Sequence, residues 1–174
     1  MAVEKGFTLV EIVIVIAIIG IASAIVLSIV SNGRTRAQVE GDARRLSGML
    51  RDLQNNALAG EQIVLGRVSC GFSLPPSAAG AITIVPTYLY RNGATCATTL
   101  SDVLPTFSLS PGVSISAANG GVRFVVPWGQ VWDGTGAALL AAPVQYTLAK
   151  SGVVWSVCVY PEGRIEEAVG AGCP

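Results

Sequence analysis

The chain has 174 residues, of which 51% are hydrophobic and only 13% charged, with eleven basic and eleven acidic side chains. That length suits one domain with an appendage, and the charged share falls well below the roughly 25% of average soluble chains. There is no histidine, so the commonest general base and the commonest metal ligand are both missing.

The first stretch reads MAVEKGFTLVEIVIVIAIIG, and Glu11 is the one charge set into an otherwise apolar run. Ile12 to Val30 follows it with 19 uncharged residues. At about 1.5 Å per residue, with Phe7 to Val10 added, the run reaches the ~30 Å of a bilayer core. A cleaved secretory signal fits poorly: Glu4 and Lys5 offset each other, and SIVSNGRTRAQ has no small-x-small cleavage site. Glu11 therefore poses a problem, because a carboxylate at that depth is costly unless it has a partner. A carboxylate snorkelling to the interface is the alternative.

From Arg34 to Ala59 there is no proline, and Val39, Ala43, Leu46, Leu50, Leu53 and Ala57 recur at steps of four and three. That is one apolar stripe on a helix. Arg36, Glu40, Arg44, Arg45, Arg51 and Asp52 occupy the other faces, and Gly60 is a natural stop. One helix over residues 7 to about 59 is expected, roughly 80 Å long. The alternative is an anchor, a break at residues 31–33, and a separate helix.

Beyond Gln62 the pattern becomes strand-like: QIVLGRVS, AITIV, VSISA, VRFVV, VQYTLAK and VVWSVCVY, punctuated by Gly, Pro, Asn and Ser. Two hairpins are expected, turning near Ser151-Gly152 and at Pro161-Glu162-Gly163. No strand alternates with a helical pattern, so an antiparallel sheet is expected, with the helix stripe as the second layer of the core.

Four cysteines, Cys70, Cys96, Cys158 and Cys173, all follow the apolar run, and none forms a C-x-x-C pair. An even count on one side of such a run favours disulfides in an oxidising compartment. Of three possible pairings, Cys70–Cys96 with Cys158–Cys173 closes two short loops, worth about 3 kcal/mol each. Four buried thiols in the cytosol are the alternative. Arg34 and Arg36 after the run would place the C-terminal side in the cytoplasm. The cysteines argue the opposite and carry more weight here.

The start resembles the class III leader and cleavage site of type IV pilins and type II secretion pseudopilins. The matching residues are a short charged leader ending in Gly6, then Phe7, Thr8, Leu9, Val10 and Glu11, then the apolar run. The resemblance implies cleavage between Gly6 and Phe7 by a prepilin peptidase and methylation of the Phe7 amine. It implies an α+β pilin fold: a long N-terminal helix, its apolar half transmembrane, packed on an antiparallel β-sheet head. The domains are then a leader (1–6), an assembly helix (7–33), its amphipathic half (34–60) and a β-rich head (61–174). Glu11 is expected to pair with the Phe7 amine of a neighbouring subunit in a helical filament. The implied location is the inner membrane with an extracytoplasmic head, then a pilus or pseudopilus. Many major pilins carry a proline inside the apolar helix; GIASAIVLSIV has none.

The stretches VRFVVPWGQVWDGTGA and VQYTLAKSGVVWSVCVYPEGRIEEAV look like the GspH/FimT-type minor pilin head, through Phe124, Pro127, Gly129, Gly163 and Arg164. A major pilin remains an alternative. Some FimT-like proteins bind DNA through a Gly-Arg-x-Arg motif, but here Gly163-Arg164-Ile165 is followed by Glu166 and Glu167. From Glu61 onward five basic residues face six acidic ones, which argues against DNA as a partner. The aromatics Trp128, Trp132, Trp155, Tyr88, Tyr90, Tyr146 and Tyr160 read either as core and cross-strand pairs or as a ligand platform of an anchored binding module. Asp102 and Asp133 lack the carboxylate neighbours of a calcium site. Lys150 beside Ser151 sits at a hairpin turn, a poor place for a nucleophile. No enzyme, cofactor or metal is expected.

Overall fold

The computed structural model describes residues 9–75, 79–92, 95–101, 104–118 and 120–174; the side chains of 24–31, 95, 97–98 and 118 lie outside that description. Among the described residues one helix, α1 (Leu9–Ala59), precedes eleven strands. Helical backbone continues through residues 31–33, so the break considered there does not occur. The helix ends in a Schellman arrangement, with Gly60 N donating to Ala57 O and Glu61 N to Asn56 O. The chain falls into two compact units, residues 1–37 and residues 38–174. The second unit takes in the striped part of α1 together with all the strands.

Strands β1 (Ser69–Leu74), β3 (Thr87–Asn92), β4 (Thr95–Leu100), β7 (Val122–Val125) and β8 (Gln130–Asp133) form a five-stranded sheet ordered β4-β3-β1-β7-β8. Strands β6 (Ser114–Ala118), β9 (Val144–Lys150), β10 (Val153–Val159) and β11 (Ile165–Val169) form a second, ordered β11-β10-β9-β6. A short pair, β2 (Thr83–Ile84) with β5 (Phe107–Ser108), completes the head. Among the described residues every strand pairing is antiparallel, as the absence of interleaved helical patterns predicts.

Both expected hairpins form. β9 and β10 pair from Lys150↔Val153 to Val144↔Val159, and Ser151 and Gly152 both take positive φ, as a two-residue turn matched to strand twist requires. One expectation fails. QIVLGRVS is not a strand: residues 61–68 are irregular, Arg67 N closes a turn on Val64 O, and Leu65 is fully exposed. Gly66 at positive φ turns the chain, and pairing begins only at Ser69. AITIV shortens to β2, and the β3–β4 hairpin was not anticipated.

The stripe on α1 forms one wall of the core. Val39, Ala43, Leu46, Leu50, Leu53 and Ala57 are all buried and share one hydrophobic cluster with both sheets. Phe72, Leu74, Val122, Phe124 and Val131 come from the first sheet; Tyr146, Leu148, Val157 and Val159 come from the second. The Tyr146 hydroxyl donates to Leu74 O at 3.1 Å and so links the sheets; burial pushes its phenol above the ordinary value. Polar contacts flank the stripe at helical spacing. Ser47 Oγ donates to Glu167 Oε1 (2.5 Å), Arg51 Nη2 to Ile165 O (3.2 Å) and Gln54 Nε2 to Gly163 O (3.0 Å). On another side, the buried Asp42 carboxylate accepts from Ser110 N at 2.8 Å and Ser110 Oγ at 3.1 Å.

Both disulfides form as the loop lengths favour, Cys70–Cys96 and Cys158–Cys173, with separations of 26 and 15 residues. The second belongs to a seam along alternate residues from β10 into the residue that follows it. Ser156 Oγ donates to Gly170 O (2.7 Å), Cys158 bonds Cys173, and the Tyr160 hydroxyl donates to Pro174 O (2.7 Å). Period-two alternation puts these three on one face and Val157 and Val159 in the core.

Leu50→Ala should lower unfolding free energy by about 2–5 kcal/mol, and paired Cys158→Ala and Cys173→Ala by about 3 kcal/mol. Urea titration of the full-length chain in detergent checks both; an unchanged midpoint for the cysteine pair would mean that the hydrogen bonds alone hold the last strand's tail.

Candidate functional site

The expected site residues separate into three groups. Gly6 and Phe7, the processing pair, lie outside the described residues. Glu11 lies in the first turn of α1. From Leu9 to Ile21 every large aliphatic side chain around it is exposed, from 47% at Val15 to 81% at Leu9. Such a helix has apolar side chains on every face, so only an apolar environment or other helices can cover it. Ser23 Oγ donates back to Ile19 O at 2.7 Å within the helix. Among the described residues no helical segment is long and apolar enough to cross a membrane; Leu9–Ser23 alone rises about 22 Å, short of a bilayer core. The expected span over residues 7–33 rests on the sequence, since the side chains of 24–31 lie outside the description.

The aromatics do not form a platform. Tyr88 and Tyr146 are fully buried, Tyr90 and Tyr160 nearly so, and Trp128 is largely exposed. Phe72, Tyr88 and Tyr90 pack as neighbours inside, with ring centroids 5.5 and 6.3 Å apart. These are core pairs. Asp102 lies outside the described residues.

The head cations are mostly occupied. Arg164 lies 3.9 Å over the Tyr160 ring, bonds Glu162 at 3.1 Å and also pairs with Glu166. Two glutamates thus neutralise the arginine of this turn. Lys150 Nζ donates to Gln38 Oε1 (2.6 Å) and Pro111 O (2.5 Å). Arg67 stacks 4.1 Å from the Tyr90 ring.

Residues 1–27 match a family model, the prokaryotic N-terminal methylation motif. The match therefore spans Gly6, Phe7, Glu11 and most of the apolar run, and stops short of the head. No curated protein and no solved structure matches the chain.

Sequence reading missed a cleft on the outer face of the five-stranded sheet. It is lined by Ser69, Leu89, Arg91, Arg123, Val125 and Trp132, with the Cys70–Cys96 disulfide at its side. A β-bulge makes it. The β1–β3 register shifts between Ser69 and Gly71, so Cys70 faces outward although it has the parity of the core residues Phe72 and Leu74. Gly71 permits this, because a Cβ there would run into Phe124 O. The alternation in VRFV, with Val122 and Phe124 buried, was the available sign that Arg123 faces the other side. Burial pushes the Arg123 guanidinium below its ordinary value, opposed by the charge of Asp133.

Asp133 organises the loop beside the cleft. Its Oδ1 accepts from Thr135 Oγ1 at 2.6 Å and from Ala137 N at 3.1 Å. The Thr135 hydroxyl, then the amides of the loop, hold its carboxyl below the usual carboxylate range. A lowered folded-state value means this contribution is present above the ordinary aspartate range and is lost as pH falls through the lowered value. Amide exchange at Ala137 should therefore rise relative to the β9–β10 hairpin on acidification below about pH 4, and Thr135→Ala should move that rise to higher pH. Exchange independent of pH in both would show that the carboxylate does not hold the loop.

Proposed function

We propose that this chain is a minor pilin or pseudopilin of the GspH/FimT type, a structural subunit without catalytic activity. The observation that carries the reading is the match of residues 1–27 to the methylation motif, joined to an apolar helix surface exposed from Leu9 to Ile21. A prepilin peptidase cuts between Gly6 and Phe7 and methylates the new amine. The uncharged run Ile12–Val30 holds the subunit in the inner membrane with its head on the extracytoplasmic side. The two disulfides support that side, since such bonds persist in oxidising compartments. Neighbouring subunits then take over the covering of the apolar helix as the filament forms.

Glu11 sets the register of assembly. A charge in the membrane interior costs about 2.5–3.5 kcal/mol on insertion scales, and pairing with the Phe7 amine of the next subunit offsets that cost. A misregistered subunit leaves both charges buried without each other. Head-to-tail contacts of this kind do not close, so they build a helical filament.

Intact mass and N-terminal sequencing, on protein from cells with a prepilin peptidase, should show N-methylphenylalanine at Phe7 as the first residue. A chain still carrying residues 1–6 would leave a permanently anchored binding module as the reading. Glu11→Ala should leave head stability unchanged and reduce incorporation into sheared filaments at least about tenfold; normal incorporation would remove the charge-pairing mechanism.

A further inference from the structure

We propose that the outer cleft of the five-stranded sheet is a binding site for a small carboxylate with an apolar body. This inference stands on the head alone and is independent of how the chain is processed or assembled. The cleft encloses about 240 Å³, the scale of a single amino acid or short organic acid. Leu89 and Val125 give it apolar walls, and Arg91 and Arg123 both line it. Lys150 and Arg164 are held by their own partners, and Arg67 lies over the Tyr90 ring. Asp133, the acid that acts on Arg123, already accepts from Thr135 and Ala137.

Two polar atoms on residues that line the cleft have no hydrogen-bond partner among the described residues, Arg123 Nε and Trp132 Nε1. Buried polar groups are nearly always paired, so these two call for a partner from outside the chain. The indole and guanidinium nitrogens can only donate. The partner is therefore an acceptor, two arginines make it anionic, and a guanidinium fork matches the planar carboxylate. Both atoms are sealed from bulk water, so binding involves a small side-chain turn of Trp132 or Arg123. Gly136 packs against Arg123, and a Cβ there would overlap its Nη1, which sets the arginine's place in the wall.

Two sources supply this chemistry, a free organic acid and the terminal carboxylate of a polypeptide. The test uses the full-length chain in detergent micelles and follows the indole Nε1–H resonance of Trp132, assigned by its loss in Trp132→Phe. Benzoate stands for the free acid, N-acetyl-leucine for the chain terminus, benzamide for a neutral isostere and inorganic phosphate for a generic anion. At least one acid should shift the resonance saturably, the tighter one naming the source, while benzamide does not. Arg123→Lys, which keeps the charge and loses the fork, should weaken binding at least about tenfold. Arg91→Gln, at an exposed position, should weaken it several-fold with an unchanged circular dichroism spectrum, and decides the matter if Arg123→Lys does not fold. No saturable shift with either acid, an equal response to benzamide, phosphate binding as tightly as the acids, or full affinity in both variants would overturn the assignment.

Discussion

The head depends on the docking of one helical stripe. Val39, Ala43, Leu46, Leu50, Leu53 and Ala57 have almost no exposed surface, and no other helix is present among the described residues to supply a second layer. Two antiparallel sheets close over that stripe from different strands of the chain. A sheet has one face to bury, and here the helix is what both bury it against. The polar contacts at Ser47, Arg51 and Gln54 run beside the stripe at the same spacing. They fix its register on the last hairpin, since a slip along the axis would leave the carbonyls of Gly163 and Ile165 without donors.

The same helix carries two chemistries. Up to Ile21 its large side chains are aliphatic and exposed on every face; past Gln38 it is amphipathic, with charges kept off the buried face. A surface of the first kind is a demand for apolar company, and it falls within the stretch, residues 1–27, that matches the methylation motif. The head needs no such company. Its core is closed by its own strands and covalently tied at Cys70–Cys96 and Cys158–Cys173.

The use of charge in the head is economical. Arg164 and Lys150 are each satisfied locally, by carboxylates or by carbonyl and amide oxygens, and Arg67 lies over a ring face. That leaves little basic surface for a polyanion, in line with six acidic against five basic residues in the head. It also isolates Arg91 and Arg123 in one cleft, where the low dielectric of the walls strengthens any charge-assisted contact.

Period and local turn chemistry were legible in the sequence by itself. The 3.6-residue stripe, the stop at Gly60, the two-residue turn at Ser151-Gly152 and the short-loop disulfides all follow from neighbours close in the chain, where spacing alone sets which side chains meet. Tertiary structure decided what spacing leaves open. QIVLGRVS has strand composition, yet Gly66 turns its first part into a loop and only its last residues, Val68 and Ser69, reach β3. The cleft draws Ser69, Arg91, Arg123 and Trp132 from four strands, and a one-residue bulge at Gly71 brings Cys70 to the same side. Composition cannot announce such a site, because a shift of one residue in strand register exchanges the two faces of a sheet, and that register is set only when the strands are paired.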